Sequence, residues 1–437
     1  MQANKKAEDF YAIQDAVAFN VPVDKDNPFY VDLTPYRSDF TDQKIFKQLN
    51  INPNTSECNP LRSSKKIFLS GYRGTGKTSE LLTLTQKIDA TECYLTIFVD
   101  ISEEELDTSN IETVDILILM LKKMIDLLEE RGADVQDETI TDFFDWYRSK
   151  IVEEVNKSVA GSAQIEIGIK TDETWLQKLT GLFANTQAKL QGSRESKTVI
   201  RREINNNFSM FSNKVNEFIL ALKTQLRAKE HYQDILFILD GFEKIGSLED
   251  RKKILVDDAN KLTRIDTHMI VTLPIELFTE KNRLSHFAVN ENFPLIDLRQ
   301  EGAKEAFREF ILKRVDESLF EAGAVDKIIE FGAGHPRQTL QIINRAFIEA
   351  TEEKITLESV EKAIEILASE MSKVNDDEIR VLQKVNDGEI VPENDIYTTL
   401  KAKNIIFEYT TSFDATLINP VVLYDKDFQR YLHQSHA

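Results

Sequence analysis

Eight consecutive residues, Gly71-Tyr72-Arg73-Gly74-Thr75-Gly76-Lys77-Thr78, combine glycines, a lysine and a hydroxyl in an order suited to gripping phosphate. The glycines allow backbone N–H groups to turn inward around an anion, and a following helix adds positive potential at its N-terminus. In this order Lys77 reaches the terminal phosphates of a nucleoside triphosphate, and the Thr78 hydroxyl ligates magnesium. Such a loop needs a strand to deliver it and a helix to receive it. Lys66-Ile67-Phe68-Leu69-Ser70 reads as that strand, and Ser79-Glu80-Leu81-Leu82-Thr83-Leu84 as the start of that helix. Gly71, Arg73, Gly74, Thr75, Gly76, Lys77, Thr78 and Ser79 are the expected nucleotide-binding residues.

Hydrolysis needs more than a cradle. Ile235-Leu236-Phe237-Ile238-Leu239-Asp240 is an apolar strand ending in an acid, at the end of a parallel sheet that faces the ligand crevice. Asp240 is therefore expected to hold the metal through its water shell. Glu243 is either the group that orients or deprotonates the attacking water, or a solvated loop acid. Thr272 ends the run Met269-Ile270-Val271-Thr272, where its hydroxyl can bond the γ-phosphate or that water. Gly332-Ala333-Gly334-His335-Pro336-Arg337 has helix-start chemistry that puts Arg337 in a first turn, able to reach back to the γ-phosphate from a separate unit.

The rest of the chain must position these groups. It has 437 residues, 41% hydrophobic and 29% charged, enough for two to four cored domains and unlike a disordered composition. The net charge of −20 favours protein partners over nucleic acid. Two cysteines, Cys58 and Cys93, form neither a disulfide scaffold nor a metal cluster and fit a reducing cytosol. Met1 to Phe19 is too polar for a signal peptide, and Ile116–Leu121 is too short to span a bilayer, so a cytoplasmic protein without membrane contact is expected.

Strands are expected at 66–70, 93–101, 235–240, 269–272 and 294–298, alternating with helices in a parallel sheet covered on both faces. Long helices are expected at 111–131 and, unbroken, at 196–229. The alternation in 163–170 reads as an exposed strand or hairpin within an insertion at about 132–196, which is a partner surface or a helical decoration. Helices follow at about 302–320, 325–331, 336–352 and 357–371. The tail then reads helix (376–386), helix (393–402), strand (405–409), strand (415–419) and short helix (427–433).

Phosphate loop, acid-ended strand, polar strand end, Gly-His-Pro-Arg in a helical unit and this tail together resemble the AAA+/STAND group of P-loop ATPases, in particular its origin-recognition-like and signalling members. The resemblance implies a P-loop α/β parallel-sheet core with a helical insertion, then an all-α lid and a small winged-helix-like α+β domain. The implied division is 1–65 as a lead-in beside the nucleotide site, 66–298 as core, 299–372 as lid and 373–437 as winged-helix-like domain. ATP or ADP with Mg2+ are the implied ligands. Gly71–Thr78 matches the Walker A loop, Asp240 the Walker B acid, Thr272 sensor 1 and Arg337 sensor 2. Asn27–Asp32 with Arg37 is similar to the segment that packs beside adenine in that group. Arg283 stands where a finger arginine acting on a neighbouring subunit is often found, and it also reads as an ordinary surface arginine.

In most AAA+ machines an acid directly follows the Walker B aspartate. Asp240-Gly241-Phe242-Glu243 displaces it, as in the STAND version, which implies a slow switch rather than a fast motor. The assigned units leave no length for a sensor array or effector, so these are expected on a separate chain, in analogy with bacterial defence modules. ATP-dependent self-assembly is the other association expected. The alternative is an origin-recognition-like or transposition-like ATPase that assembles on DNA. Residues 373–437 argue against it, with seven Lys/Arg facing eleven Asp/Glu. Lys189, Arg194, Lys197, Arg201 and Arg202, on the approach to the long helix, form a modest basic cluster that could serve it.

Overall fold

Runs rich in β-branched and aromatic residues form one five-stranded sheet whose ladders are all parallel. The computed structural model describes residues 5–59, 61–102, 106–132, 138–165, 173–229, 232–410 and 416–433. The strands are β1 (Lys66–Gly71), β2 (Tyr94–Asp100), β3 (Asp234–Asp240), β4 (His268–Pro274) and β5 (Val289–Phe293). Their order is β2-β3-β4-β1-β5, so the loop-bearing strand lies next to β4 and one strand away from β3. Parallel strands buried on both faces need apolar side chains in both directions. Ile67 and Leu69 accordingly join Leu236, Ile238 and Ile270 on one face, under α1 (Asp42–Gln48) and α2 (Lys77–Asp89). Phe68, Phe237, Leu239 and Val271 face the other way, into a larger helical layer.

That layer holds α3 (Thr113–Glu130), α4 (Glu138–Tyr147), α5 (Trp175–Gly192), α6 (Arg194–Asn206) and α7 (Phe208–Lys229). Shorter helical turns go unnumbered. The single helix expected over 196–229 is two, broken at Asn207 (φ −109°, ψ 21°, outside the helical region) after two further asparagines. Asn207 bonds back to the Glu203 carbonyl (2.9 Å) with its own amide, the local competition that makes asparagine a poor helix-interior residue. Of the alternating segment 163–170, residues 166–170 lie outside the described residues.

The expected strand at 294–298 is not one. The fifth strand is the preceding, more polar Val289–Phe293, which pairs only with β1 and is half-exposed as an edge strand can be. Pro294 has no N–H to offer a ladder. Ile296 N–H instead donates to the Gly334 carbonyl (3.2 Å) and Asp297 N–H to the Tyr36 carbonyl (2.9 Å). The apolar run is buried because it ties three units together.

Helices α8 (Ala303–Leu312), α9 (Ala324–Gly332), α10 (Pro336–Glu349) and α11 (Leu357–Met371) share a second core with Phe10, Ile13, Val17, Phe29 and Leu33 of the lead-in. The helix expected over 302–320 stops at Leu312, and a separate turn spans Glu317–Leu319. A third core joins α12 (Asp376–Asn386), α13 (Asp395–Ala402), the antiparallel pair β6 (Ile406–Glu408) and β7 (Thr416–Ile418), and α14 (Lys426–His433). Among the described residues no helix is long and apolar enough to cross a membrane. Cys58 and Cys93 are bonded to each other, a pairing not expected from the sequence, next to the Ile51–Cys58 bridge and the start of β2.

Within the insertion layer, Arg201 is buried and donates to Asp115 through Nε (3.0 Å) and Nη2, and to Asn110 Oδ1 (3.0 Å). Removing one partner strands the other charge in a dry site. Asp115→Ala is expected to lower stability by about 3–5 kcal/mol. Urea unfolding measures it, and the double change Arg201→Met with Asp115→Leu should recover most of the loss.

Candidate functional site

The loop leaves β1 at Gly71 and enters α2 with Gly74 (φ +89°) and Gly76 (φ +94°) both left-handed, a conformation glycine adopts without penalty. A Cβ at Gly74 would also lie 2.8 Å from Arg337 Cβ and from His335 Cε1, so the lid rests directly on the loop. Among the described residues nothing accepts from the N–H groups of Arg73 through Thr78. The carbonyls of Gly71 through Thr75, by contrast, are each taken, two from within the loop and three from outside it. Lys77 Nζ donates to Gly71 O (2.9 Å) and Tyr72 O (2.8 Å), and Thr75 Oγ1 also donates to Tyr72 O (3.0 Å). His335 Nε2 meets Arg73 O (3.0 Å), Arg337 N–H donates to Gly74 O (3.2 Å), and Arg37 Nη2 donates to Thr75 O (2.7 Å). The result is a concave array of free N–H groups, a geometry that binds anions.

The loop opens on a cleft of about 280 Å³. Its lining joins Arg73–Glu80, Glu243 and Arg337 to apolar side chains of lead-in and lid, among them Phe19, Val21, Phe29, Phe310 and Leu340, with Arg314 beside them. Ser79 lines the cleft and its hydroxyl accepts from Val23 N–H (3.0 Å), fixing the lead-in beside the loop helix. The lining suits a ligand with a charged part and a flat apolar part.

Beneath the loop, Thr78 Oγ1 donates to Asp240 Oδ2 (2.6 Å). Asp240 is buried, and its other oxygen, Oδ1, has no partner. Burial first, then Glu243, pushes its carboxyl above the ordinary carboxylate range. An orphaned carboxylate oxygen beside a hydroxyl fits a hard divalent cation such as Mg2+, with Thr78 and Asp240 holding it and phosphate and water completing its shell. No group of three or more His, Cys, Asp or Glu that could hold a metal is present among the described residues.

Thr272 lies in β4, between the strands of Asp240 and the loop, with its hydroxyl buried and unpartnered. Glu243 sits in the turn Phe242–Lys244 and lines the cleft; among the described residues its carboxylate makes no hydrogen bond or ion pair. Arg337, in the first turn of α10, also lines the cleft with its Nε unpartnered. Burial and then the neighbouring Arg73 lower its pKa, which Glu243 partly offsets. Lys77 is likewise lowered by burial, with Glu243 and Asp240 opposing. Arg283 is not part of the cleft; it is half-exposed and paired with Asp257 (2.8 Å) and Glu280 (3.9 Å).

Two contributors were missed in the sequence. Asp100 ends β2 opposite Asp240, lines the cleft and accepts from Ser102 N–H (2.9 Å). The signal was available, since an apolar strand ending in acid is what singled out Asp240. Tyr72 had none: its ring meets Phe407 edge-on (5.9 Å) and its hydroxyl accepts from Glu408 N–H (3.0 Å), joining the loop to β6.

No family model and no curated protein matches the chain. Among solved structures it is similar to the Aeropyrum pernix Orc1 protein in complex with DNA, at 13% identity over 93% of this chain and 96% of that one, TM-score 0.35. It is similar also to Cdc6p from Pyrobaculum aerophilum, at 12% identity over 94% and 99%, TM-score 0.33. Likeness at this level carries no argument about activity. The fold itself, a parallel-sheet P-loop core followed by a helical unit and a small α+β tail, is the one expected.

His335 caps α10 by accepting from Gln338 N–H at Nδ1 (3.1 Å), so Nε2 carries the proton shared with Arg73 O. Protonating Nδ1 would break the cap, and burial pushes the ring down to about 4. Against an unfolded value of about 6.5, the folded state is disfavoured progressively as pH falls from there toward 4, by about 3 kcal/mol in full. Glu80, raised by burial, titrates with the opposite sign in part of this window. The prediction is therefore a difference: thermal melts of wild type should fall more steeply below pH 6.5 than those of His335→Asn.

Proposed function

We propose that the protein is a slowly hydrolysing, ATP-binding regulatory ATPase of AAA+/STAND type, in which bound nucleotide governs how the lid and the winged-helix-like tail sit on the core. One observation carries the reading. The phosphate loop is held from outside by the lid (His335, Arg337) and the tail (Phe407, Glu408), so a ligand that rearranges it must act on both. On this reading the loop N–H groups and Lys77 bind the phosphates, and Thr78 and Asp240 hold Mg2+, which when bound neutralises charge on the phosphates. Arg337 and Thr272 read the γ-phosphate, and Glu243 takes the proton from water. The displaced acid and the single half-buried base favour slow turnover. The output is a protein partner on another chain, or ATP-dependent self-assembly with Arg283 freed from Asp257 to act on a neighbour.

Assembly on DNA gains no support from the cations. Arg201 and Lys197 are buried in ion pairs with Asp115 and Asp107, and Arg202 pairs with Glu203. In the tail, Lys401 pairs with Glu408 and Lys403 with Glu378. Phosphate neutralisation would have to break these pairs.

Lys77→Ala is expected to abolish binding of ATP and ADP in calorimetric titration; wild-type affinity in that variant would overturn the site. Glu243→Gln should keep nucleotide affinity while turnover, followed by phosphate release, falls by about 100-fold or more. Light scattering in Mg-ATP and in Mg-ADP separates the two outputs: a mass that multiplies only with ATP indicates self-assembly, and a constant monomer a separate partner.

A further inference from the structure

We infer that Arg37, from the lead-in, is a positioning residue of the nucleotide site: it holds the Thr75 carbonyl outward and thereby aims the Gly76 N–H at the bound phosphate. The inference rests on the nucleotide reading above.

A trans peptide sets its C=O and N–H in opposite directions. Fixing the oxygen on one side of the Thr75–Gly76 peptide fixes the hydrogen on the other. Gly76 is left-handed and could rotate this peptide at little cost, so something must hold it. Arg37 is the group in place to do so. Its Nη2 donates to Thr75 O at 2.7 Å, and the same atom is what a Cβ on Gly76 would meet first, at 3.9 Å.

The arginine is itself fixed. It is 5% exposed, its Nη1 donates to the Pro294 carbonyl, and its guanidinium carbon stands 3.9 Å over the Phe293 ring. The plane is thus locked by stacking at the end of β5 while one arm reaches the loop. Burying a guanidinium against two neutral carbonyls is costly, and burial lowers its pKa to about 10. Glu80 lies near enough to oppose that shift, yet the hydrogen bonds go to the two carbonyls. Packing alone would be served by an apolar residue. A buried fork aimed at a loop carbonyl serves the loop. Arg337 and His335 do the same for the two preceding carbonyls from the lid, which leaves Arg37 as the lead-in's contribution to the array.

The peptide lies on the inner part of the loop, common to ATP and ADP, so the expected signature differs from that of a γ-phosphate sensor. Arg37→Ala should weaken ATP and ADP equally, by about 10- to 100-fold, the range for a lost charge-assisted hydrogen bond. Guanidinium chloride at a non-denaturing concentration should restore much of that affinity by filling the same slot, and ammonium chloride should not. Arg37→Lys keeps the charge and stem without the planar fork, so it tests the same point if the alanine variant does not fold; a smaller but equal loss for both nucleotides is expected. Wild-type affinity in either folded variant overturns the inference. So does a loss that guanidinium cannot rescue in the alanine variant, which would mean a packing role only. If wild type itself binds no nucleotide, the nucleotide reading fails and this inference fails with it. Lys77→Ala separates the cases, since it should lose binding with or without guanidinium.

Discussion

A loop that binds phosphate through its N–H groups must send its carbonyls the other way, and each of those carbonyls then needs a donor. In this chain the donors come from Lys77 and Thr75 within the loop, Arg37 in the lead-in, and His335 and Arg337 in the lid. Much of the architecture follows. The lead-in must cross the end of β5 to bring Arg37 under the loop. Helix α10 must start at the loop's back for a histidine cap and a first-turn N–H to reach it. The run 294–298 gives up strand pairing to bond with Gly334 and Tyr36 and hold both in place.

The same constraint links the tail to the site. Tyr72 is the second residue of the loop, and its ring and hydroxyl face β6 rather than the cleft. Leu295, Ala333, Phe407 and Tyr409 close a small apolar cluster around it, in which core, lid and tail each supply a wall. His335 stacks on Phe407 while bonding Arg73. Interfaces of this kind are packed or parted, with little between, which suits a unit that reports one bound state or the other.

The elements that carry the candidate site were legible because their signals are local. The loop octet, the acid at the end of β3 and the proline-started helix of Arg337 each announce themselves within a few residues. The fifth strand was misplaced because burial and strand pairing part company there: the apolar 294–298 packs at a junction, and the polar 289–293 makes the ladder. The helix break at Asn207 lay in side-chain competition that apolar spacing does not register. The contacts of Arg37 and Tyr72 were out of reach for another reason. Arg37 was singled out only for a place beside adenine, and its partner is the Thr75 carbonyl; that of Tyr72 is Glu408 in the tail, and no spacing in the sequence encodes a contact over such separations.

The proposed function requires the phosphate loop, the lid and the tail to respond to nucleotide as one unit. Hydrogen exchange measured by mass spectrometry, without nucleotide and with Mg-ATP or Mg-ADP, tests it most directly. Protection should change together in peptides covering 71–80, 333–338 and 405–409, with ATP and ADP giving different patterns in the last two. A change confined to 71–80, identical for both nucleotides, would contradict it.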